Sequence, residues 1–161
     1  MTVKDQVYTG KALTPPVTVK YNGKTLNEGT DYLVAYYNNK AVGRASVSIK
    51  GEGEYSGVKS ATFRILPRKT SINKLTAGQQ SIALKWTTRA EATGYEIQYS
   101  LKKNFSTKTT KRIKGKKVGK ITLKGLEKGK RYYVRMRCYK KIKKDYYYSA
   151  WSKIKSVKLK K

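Results

Sequence analysis

Residues 139–148, Tyr139-Lys140-Lys141-Ile142-Lys143-Lys144-Asp145-Tyr146-Tyr147-Tyr148, hold the residue types best suited to bind something. Lys140, Lys141, Lys143 and Lys144 can neutralise phosphates or carboxylates, and the faces of Tyr146, Tyr147 and Tyr148 can stack on bases or sugars. Two readings of the stretch stand side by side. It is either a binding loop for an anionic polymer or acidic glycan, or a lysine-rich loop whose tyrosines pack onto Trp151 and the adjoining strand.

Other chemistry is poorly supplied. An enzyme needs a convergent acid, base, nucleophile or metal. The chain has no His, one Cys and 9 acidic residues among 161. No catalytic residue, cofactor or metal set is therefore expected, and a lone cysteine cannot form an internal disulfide. Glu52 and Glu54 in Gly51-Glu52-Gly53-Glu54-Tyr55-Ser56-Gly57 offer two carboxylates to a calcium ion that wants six or more oxygens, so a glycine turn between strands is the better reading.

The elements that must carry these residues are strands. Residues 17–26 alternate around Asn22-Gly23, a pair suited to a tight hairpin turn. Two more alternating runs flank Asn38-Asn39-Lys40, and Ala61-Thr62-Phe63-Arg64-Ile65 closes the first segment before Leu66-Pro67. Beyond it, strands are predicted over 81–86, 94–100, 111–115, 120–126, 131–139 and 153–159, with turn-rich spacers and no helix, the pattern of a β-sandwich. In Lys111-Arg112-Ile113-Lys114-Gly115 and the basic run that follows to Gly125, Ile121 and Leu123 alternate with Lys120, Thr122 and Lys124. That run reads as a sheet face with its lysines in water rather than as a nucleic-acid arm.

Charge divides the chain. Residues 1–67 hold 9 basic and 5 acidic residues, a net +4, so residues 68–161 carry +25 of the total +29. The expected organisation is two small domains, 1–67 and 68–161, joined at Pro67-Arg68-Lys69, a short connection expected to restrict motion between them. A charge of this sign attracts polyanions over a Debye length of about 8–10 Å. Specific nucleic-acid binding is not expected, because the charge is spread over several strands and lysine, which lacks the planar fork of arginine, predominates. No run approaches a membrane span, and the first residues have neither the apolar core nor the cleavage site of a signal peptide.

The second segment resembles a fibronectin type III domain over about residues 70–160. The resemblance rests on Trp86 with Ile82 and Leu84, on Gly94-Tyr95-Glu96-Ile97-Gln98-Tyr99, and on Leu126, Gly129 and Tyr132. It implies that Trp86 is the core tryptophan and Tyr132 the corner tyrosine whose hydroxyl bonds upstream backbone. Lys128 stands where the family often has proline. The same register places Val134, Met136 and Cys138 inward and Tyr133, Arg135, Arg137 and Tyr139 outward, making Cys138 a small core residue. Ser149-Ala150-Trp151-Ser152 resembles a strand-entry motif of such domains, which implies that Trp151 stacks on Arg135 or Arg137 as structural cation–π packing.

The first segment resembles an immunoglobulin-like repeat of Gram-positive bacterial surface proteins. Its carriers are Tyr8-Thr9-Gly10-Lys11, then Thr30-Asp31-Tyr32 with Val34, Tyr36 and Asn38-Asn39, then Val42-Gly43 and the Gly51–Gly57 turn. Domains of that kind sometimes cross-link a lysine to an asparagine beside a buried acid, a role for which Asp31 is a candidate. A bond from Asp31 to local backbone at a strand entrance is the simpler expectation.

Together the resemblances imply an all-β pair of tandem sandwiches within a larger exported protein, extracellular or in the cell wall. The expected role is non-catalytic: spacer modules that present or link other domains of the same chain, without oligomerisation. The alternative is a module that binds an anionic cell-wall polymer or acidic glycan through the basic second domain.

Overall fold

A computed structural model describes residues 2–161. All regular elements are strands, and they fall into two compact units, one ending at Leu66 and one spanning Pro67–Lys161.

In the first unit, β1 (Gln6–Val7), β2 (Lys20–Tyr21), β3 (Lys24–Thr25), β4 (Tyr32–Tyr37), β5 (Gly43–Gly51) and β6 (Val58–Leu66) form a four-stranded sheet and a hairpin. The sheet order is β1-β6-β5-β4, with β1 parallel to β6 and the other pairs antiparallel. The β2–β3 hairpin turns at Asn22 and Gly23, whose φ angles of 46° and 80° suit their residue types. Alternation along β5 turns Ala45, Val47 and Ile49 into the core. Facing the sheet, Leu13, Val17 and Val19 from the extended stretch before the hairpin supply a thin second layer. Tyr36 pins that stretch by donating its hydroxyl to the Pro15 carbonyl at 2.6 Å. At the sheet edge, Asp5 accepts from the Arg64 backbone N–H and guanidinium, and the guanidinium bond holds its carboxyl below the usual range.

The second unit contains β7 (Ile72–Ala77), β8 (Ser81–Trp86), β9 (Gly94–Ser100), β10 (Thr109–Lys114), β11 (Lys120–Lys124), β12 (Arg131–Ile142), β13 (Asp145–Tyr148) and β14 (Lys155–Lys158). A three-stranded sheet runs β11-β8-β7. A second runs β10-β9-β12, and β12 is long enough to pair with β14 through residues 131–134 and with β13 through residues 139–142. Between them lies one core that includes Ile82, Leu84, Trp86, Tyr95, Ile97, Leu123, Val134 and Met136. The ring of Trp86 meets that of Tyr95 edge-on, 5.3 Å between centroids.

Three expectations change. Residues 139–148 are not a loop but the two arms of a β12–β13 hairpin, turning at Lys143 with φ of 52°. Strand β7, absent from the sequence reading, forms the edge of the smaller sheet. Tyr139 points to the outer face with Arg137, as alternation requires, yet it is only 2% exposed because the returning β13 places Tyr146 and Tyr148 against it.

Candidate functional site

The hairpin divides the candidate residues between its two faces. Tyr147 is buried, whereas Tyr146 remains 36% exposed and Tyr148 is half-buried. Lys141, Lys143 and Lys144 are exposed and Lys140 is half-buried. The Lys141 backbone N–H donates to Thr93 Oγ1 at 3.1 Å, so this arm is anchored to the body of the unit. The three tyrosines therefore do not form one stacking platform.

On the outer face of the larger sheet, strand register lines up side chains rung by rung. In one rung Arg112, Glu96 and Arg137 face each other across β10, β9 and β12. Glu96, buried, accepts from Arg112 at 3.0 Å and from Arg137 at 2.6 Å, and the bond to Glu96 raises the Arg112 pKa further. In the adjacent rung Arg135 donates twice to Gln98 Oε1, at 3.0 and 2.8 Å. A third rung holds Gly94 and Tyr139, and a Cβ at residue 94 would sit 2.7 Å from the Tyr139 hydroxyl and closer still to the Ile113 carbonyl.

Planar groups stack along these rungs. Starting at Phe105, the order is Arg135 at 4.3 Å, Trp151 at 4.5 Å, Arg137 at 4.4 Å and Tyr148 at 3.7 Å, all from guanidinium carbon to ring centroid. Tyr146 continues the stack, near-parallel to Tyr148 at 15°, and Arg112 lies 4.8 Å from the Tyr146 centroid. Each guanidinium is held on its edge by an acceptor and on its faces by rings, a pairing of interactions that a lysine cannot make. Trp151 thus lies between Arg135 and Arg137.

Local chemistry explains how Trp151 gets there. Ser149 and Ser152 bond β12 with both main chain and hydroxyl: the Cys138 N–H donates to Ser149 Oγ at 3.1 Å and the Met136 N–H to Ser152 Oγ at 3.0 Å. Their own N–H groups donate to the carbonyls of the same two residues. Held at both ends, the segment presents Trp151 to the outer face. Glu96, Gln98, Phe105 and Arg112 complete the stack but were not singled out by sequence. The one available signal was Glu96 itself, an acid in a strand whose neighbours are apolar or aromatic.

The remaining candidates lie elsewhere. Trp86 is in the core, and Tyr132 Oη accepts from the Glu127 N–H at 3.1 Å. Burial pushes the Cys138 thiol up, away from the reactive thiolate. Asp31 Oδ2 accepts from the Asn27 N–H at 2.8 Å. Asp31 and Glu54 line a cleft of about 600 Å³ in the first unit, while Glu52 pairs with Lys50 at 3.0 Å. Among the described residues no cluster of three or more His, Cys, Asp or Glu could hold a metal, and no helix is long and apolar enough to cross a membrane.

Residues 66–155, more than half of the chain, match the model of the fibronectin type III domain. The chain belongs to the fibronectin type III family. Solved structures similar to it include the chicken CNTN1 FN1–FN3 domains, at 14% identity over 75% of this chain and 42% of that one, with a TM-score of 0.50. A computer-based redesign of a β-sandwich protein shares 18% identity over 58% of this chain and 90% of its own, with a TM-score of 0.47. A myokine shares 17% over 56% and 97%, at 0.45. At these identities the CNTN1 likeness speaks for the fibronectin type III fold alone. No curated protein sequence matches the chain. Fibronectin type III domains are structural or binding modules and are typically non-catalytic.

Proposed function

We propose that this chain is a non-catalytic spacer segment of a larger bacterial surface or secreted protein, an immunoglobulin-like repeat followed by the fibronectin type III domain, presenting or linking other domains of its parent. The observation that carries this reading is the stack from Phe105 to Tyr146. The arginines and aromatics that a binding site would draw on are engaged with each other, fastening the β12–β13 hairpin to the sheet face. Such cross-strand packing stiffens a sandwich without needing a ligand.

Two arms test it in the source bacterium. Antibody to the purified chain should label intact cells or the secreted fraction, and confinement to the cell interior would overturn the location. Replacing residues 1–161 in the parent by an unrelated two-module spacer should leave the parent's surface activity intact. Loss of that activity despite normal display would overturn the spacer role.

A second reading has its own observation in Lys143 and Lys144, exposed at the hairpin turn, and in exposed Lys141, whose ammonium lies 5.5 Å from the ring centroid of Tyr146; together they offer positive charge to an anionic wall polymer or acidic glycan. Binding of this kind should weaken steeply with salt.

A further inference from the structure

The smaller sheet of the second unit carries a feature visible only once the strands are in register. Lys120 on β11 lies directly opposite Lys85 on β8, and Lys85 lies directly opposite Lys74 on β7. All three are exposed, since their strand neighbours Ile121, Leu84 and Leu75 take the core side. Like charges directly opposite in a sheet repel, and sequences ordinarily place a partner of opposite sign there. None lies on these three strands. Residues 67–161 contain four acids, Glu91, Glu96, Glu127 and Asp145, none of them on β7, β8 or β11. Glu91 pairs with Arg68, and Glu96 with Arg112 and Arg137.

The row continues past the sheet edge. Lys155 on β14 donates its Nζ to the carbonyl of Asn73 at 3.2 Å, next to Lys74 in sequence, and keeps two ammonium hydrogens for another acceptor. Beside it opens a cleft of about 290 Å³ lined by Lys69, Lys153 and Lys155 together with Thr70, Ser71 and Ile72. Lys120, Lys85 and Lys74 thus form a row across three paired strands, on the order of 10 Å long at the usual spacing of about 4.8 Å, and Lys155 extends this band past the β7 edge from the other sheet. The band ends beside this cleft, whose walls are mostly apolar and include three lysine side chains.

We propose that this band binds a linear polyol-phosphate polymer of the cell wall, laid across the strands with successive phosphates on successive lysines. The neighbouring rung selects the polymer's chemistry. It consists of Thr122, Ala83 and Thr76, small side chains with no ring on which a base or sugar could stack. The face reads charge and nothing planar. Lysine ammoniums suit phosphates presented as point charges on a flexible chain, where the planar fork of arginine would have no advantage. Bound polymer would also relieve the mutual repulsion of the row. The inference rests on the polymer-binding reading above and moves its site from the β12–β13 hairpin to the opposite sheet.

The test uses the whole chain and synthetic poly(glycerol phosphate), with binding measured across a salt series. Lys74→Gln, Lys85→Gln, Lys120→Gln and Lys155→Gln are combined in one variant. Lys140→Gln, Lys141→Gln, Lys143→Gln and Lys144→Gln are combined in another with the same change of net charge. The sheet variant should lose roughly tenfold or more in affinity relative to the hairpin variant, and its log–log salt slope should fall by about 3, for four lost contacts at roughly 0.7 each. Equal losses, a larger loss in the hairpin variant, or no binding by the unmodified chain near 0.15 M salt, roughly the physiological value, would each overturn the proposal. A larger hairpin loss would still leave polymer binding standing, whereas no binding would remove both. A single Lys85→Glu guards against misfolding as an explanation: it should raise the melting temperature by giving Lys74 and Lys120 a partner, and should weaken the polymer. Tighter binding to single-stranded DNA of equal charge than to the polyol phosphate would overturn the choice of partner.

Discussion

Arg137 and Glu96 face each other in register across β12 and β9, with guanidinium and carboxylate 2.6 Å apart, while the same guanidinium is covered on its faces by Trp151 and Tyr148. Edge and faces of one side chain are thus both engaged. Arg137→Ala should destabilise the second unit by about 2–3 kcal/mol in chemical denaturation, through loss of two cation–π contacts and a partly buried ion pair. Arg137→Lys should recover less than half of that, because an ammonium has no planar faces to stack. Full recovery by lysine would show that charge alone matters.

Gly94 is required by the ring of Tyr139 and the carbonyl of Ile113, which occupy the space of a side chain. Gly94→Ala should cost about 2–4 kcal/mol, as overpacking against backbone does. Combining it with Tyr139→Ala should not restore stability, since the clash with the Ile113 carbonyl remains. Thermal melts of the single and double variants check both statements.

Consecutive tyrosines in β13 should behave oppositely. Tyr147→Ala empties a buried site and should cost about 3 kcal/mol or more, in the range for large aromatic truncations. Tyr146→Ala, on the exposed end of the stack, should cost about 1 kcal/mol. Similar values from equilibrium unfolding would mean that the hairpin does not separate the two faces.

Acidification should destabilise the second unit through Glu91. Burial alone would push this carboxyl up, but bonds from the Arg68 guanidinium and from backbone N–H groups more than offset it, so its folded pKa lies below the usual glutamate range. A lowered folded value means that the unfolded chain binds the proton more readily. The stabilisation is fully present above the unfolded value of about 4.3 and is lost as pH falls through the folded one. Glu91→Gln should flatten the acid limb of the melting-temperature profile from about pH 4.3 downward, and an unchanged slope there would refute the linkage.

How much of this was readable from the sequence depended on whether a feature lives in one strand or between strands. Alternation is a property of the extended backbone, so Ile82 and Leu84, or Val134 and Met136, announce the core on their own. Strand β7 did not, because a bulge between Ile72 and Lys74 shifts its alternation and leaves Ile72, Leu75 and Ala77 without a regular spacing. The β12–β13 turn was hidden for another reason. Asn22-Gly23 advertises positive φ by residue type, whereas Lys143 adopts it without that signal. Burial of Tyr139 follows from that turn and was hidden with it. The Arg112–Glu96–Arg137 rung and the Lys120–Lys85–Lys74 row need the register of three strands at once, which no single stretch of sequence contains.

The solitary thiol of Cys138 has a use unrelated to any ligand. It is sealed in the core of the second unit, its proton held by burial and its sulfur 3.1 Å from the Arg68 carbonyl. A thiol reagent therefore reaches it only when that unit opens, and with one cysteine in the chain the label reports a single event. The rate of alkylation becomes a clock for spontaneous opening, readable under tension without engineering a probe.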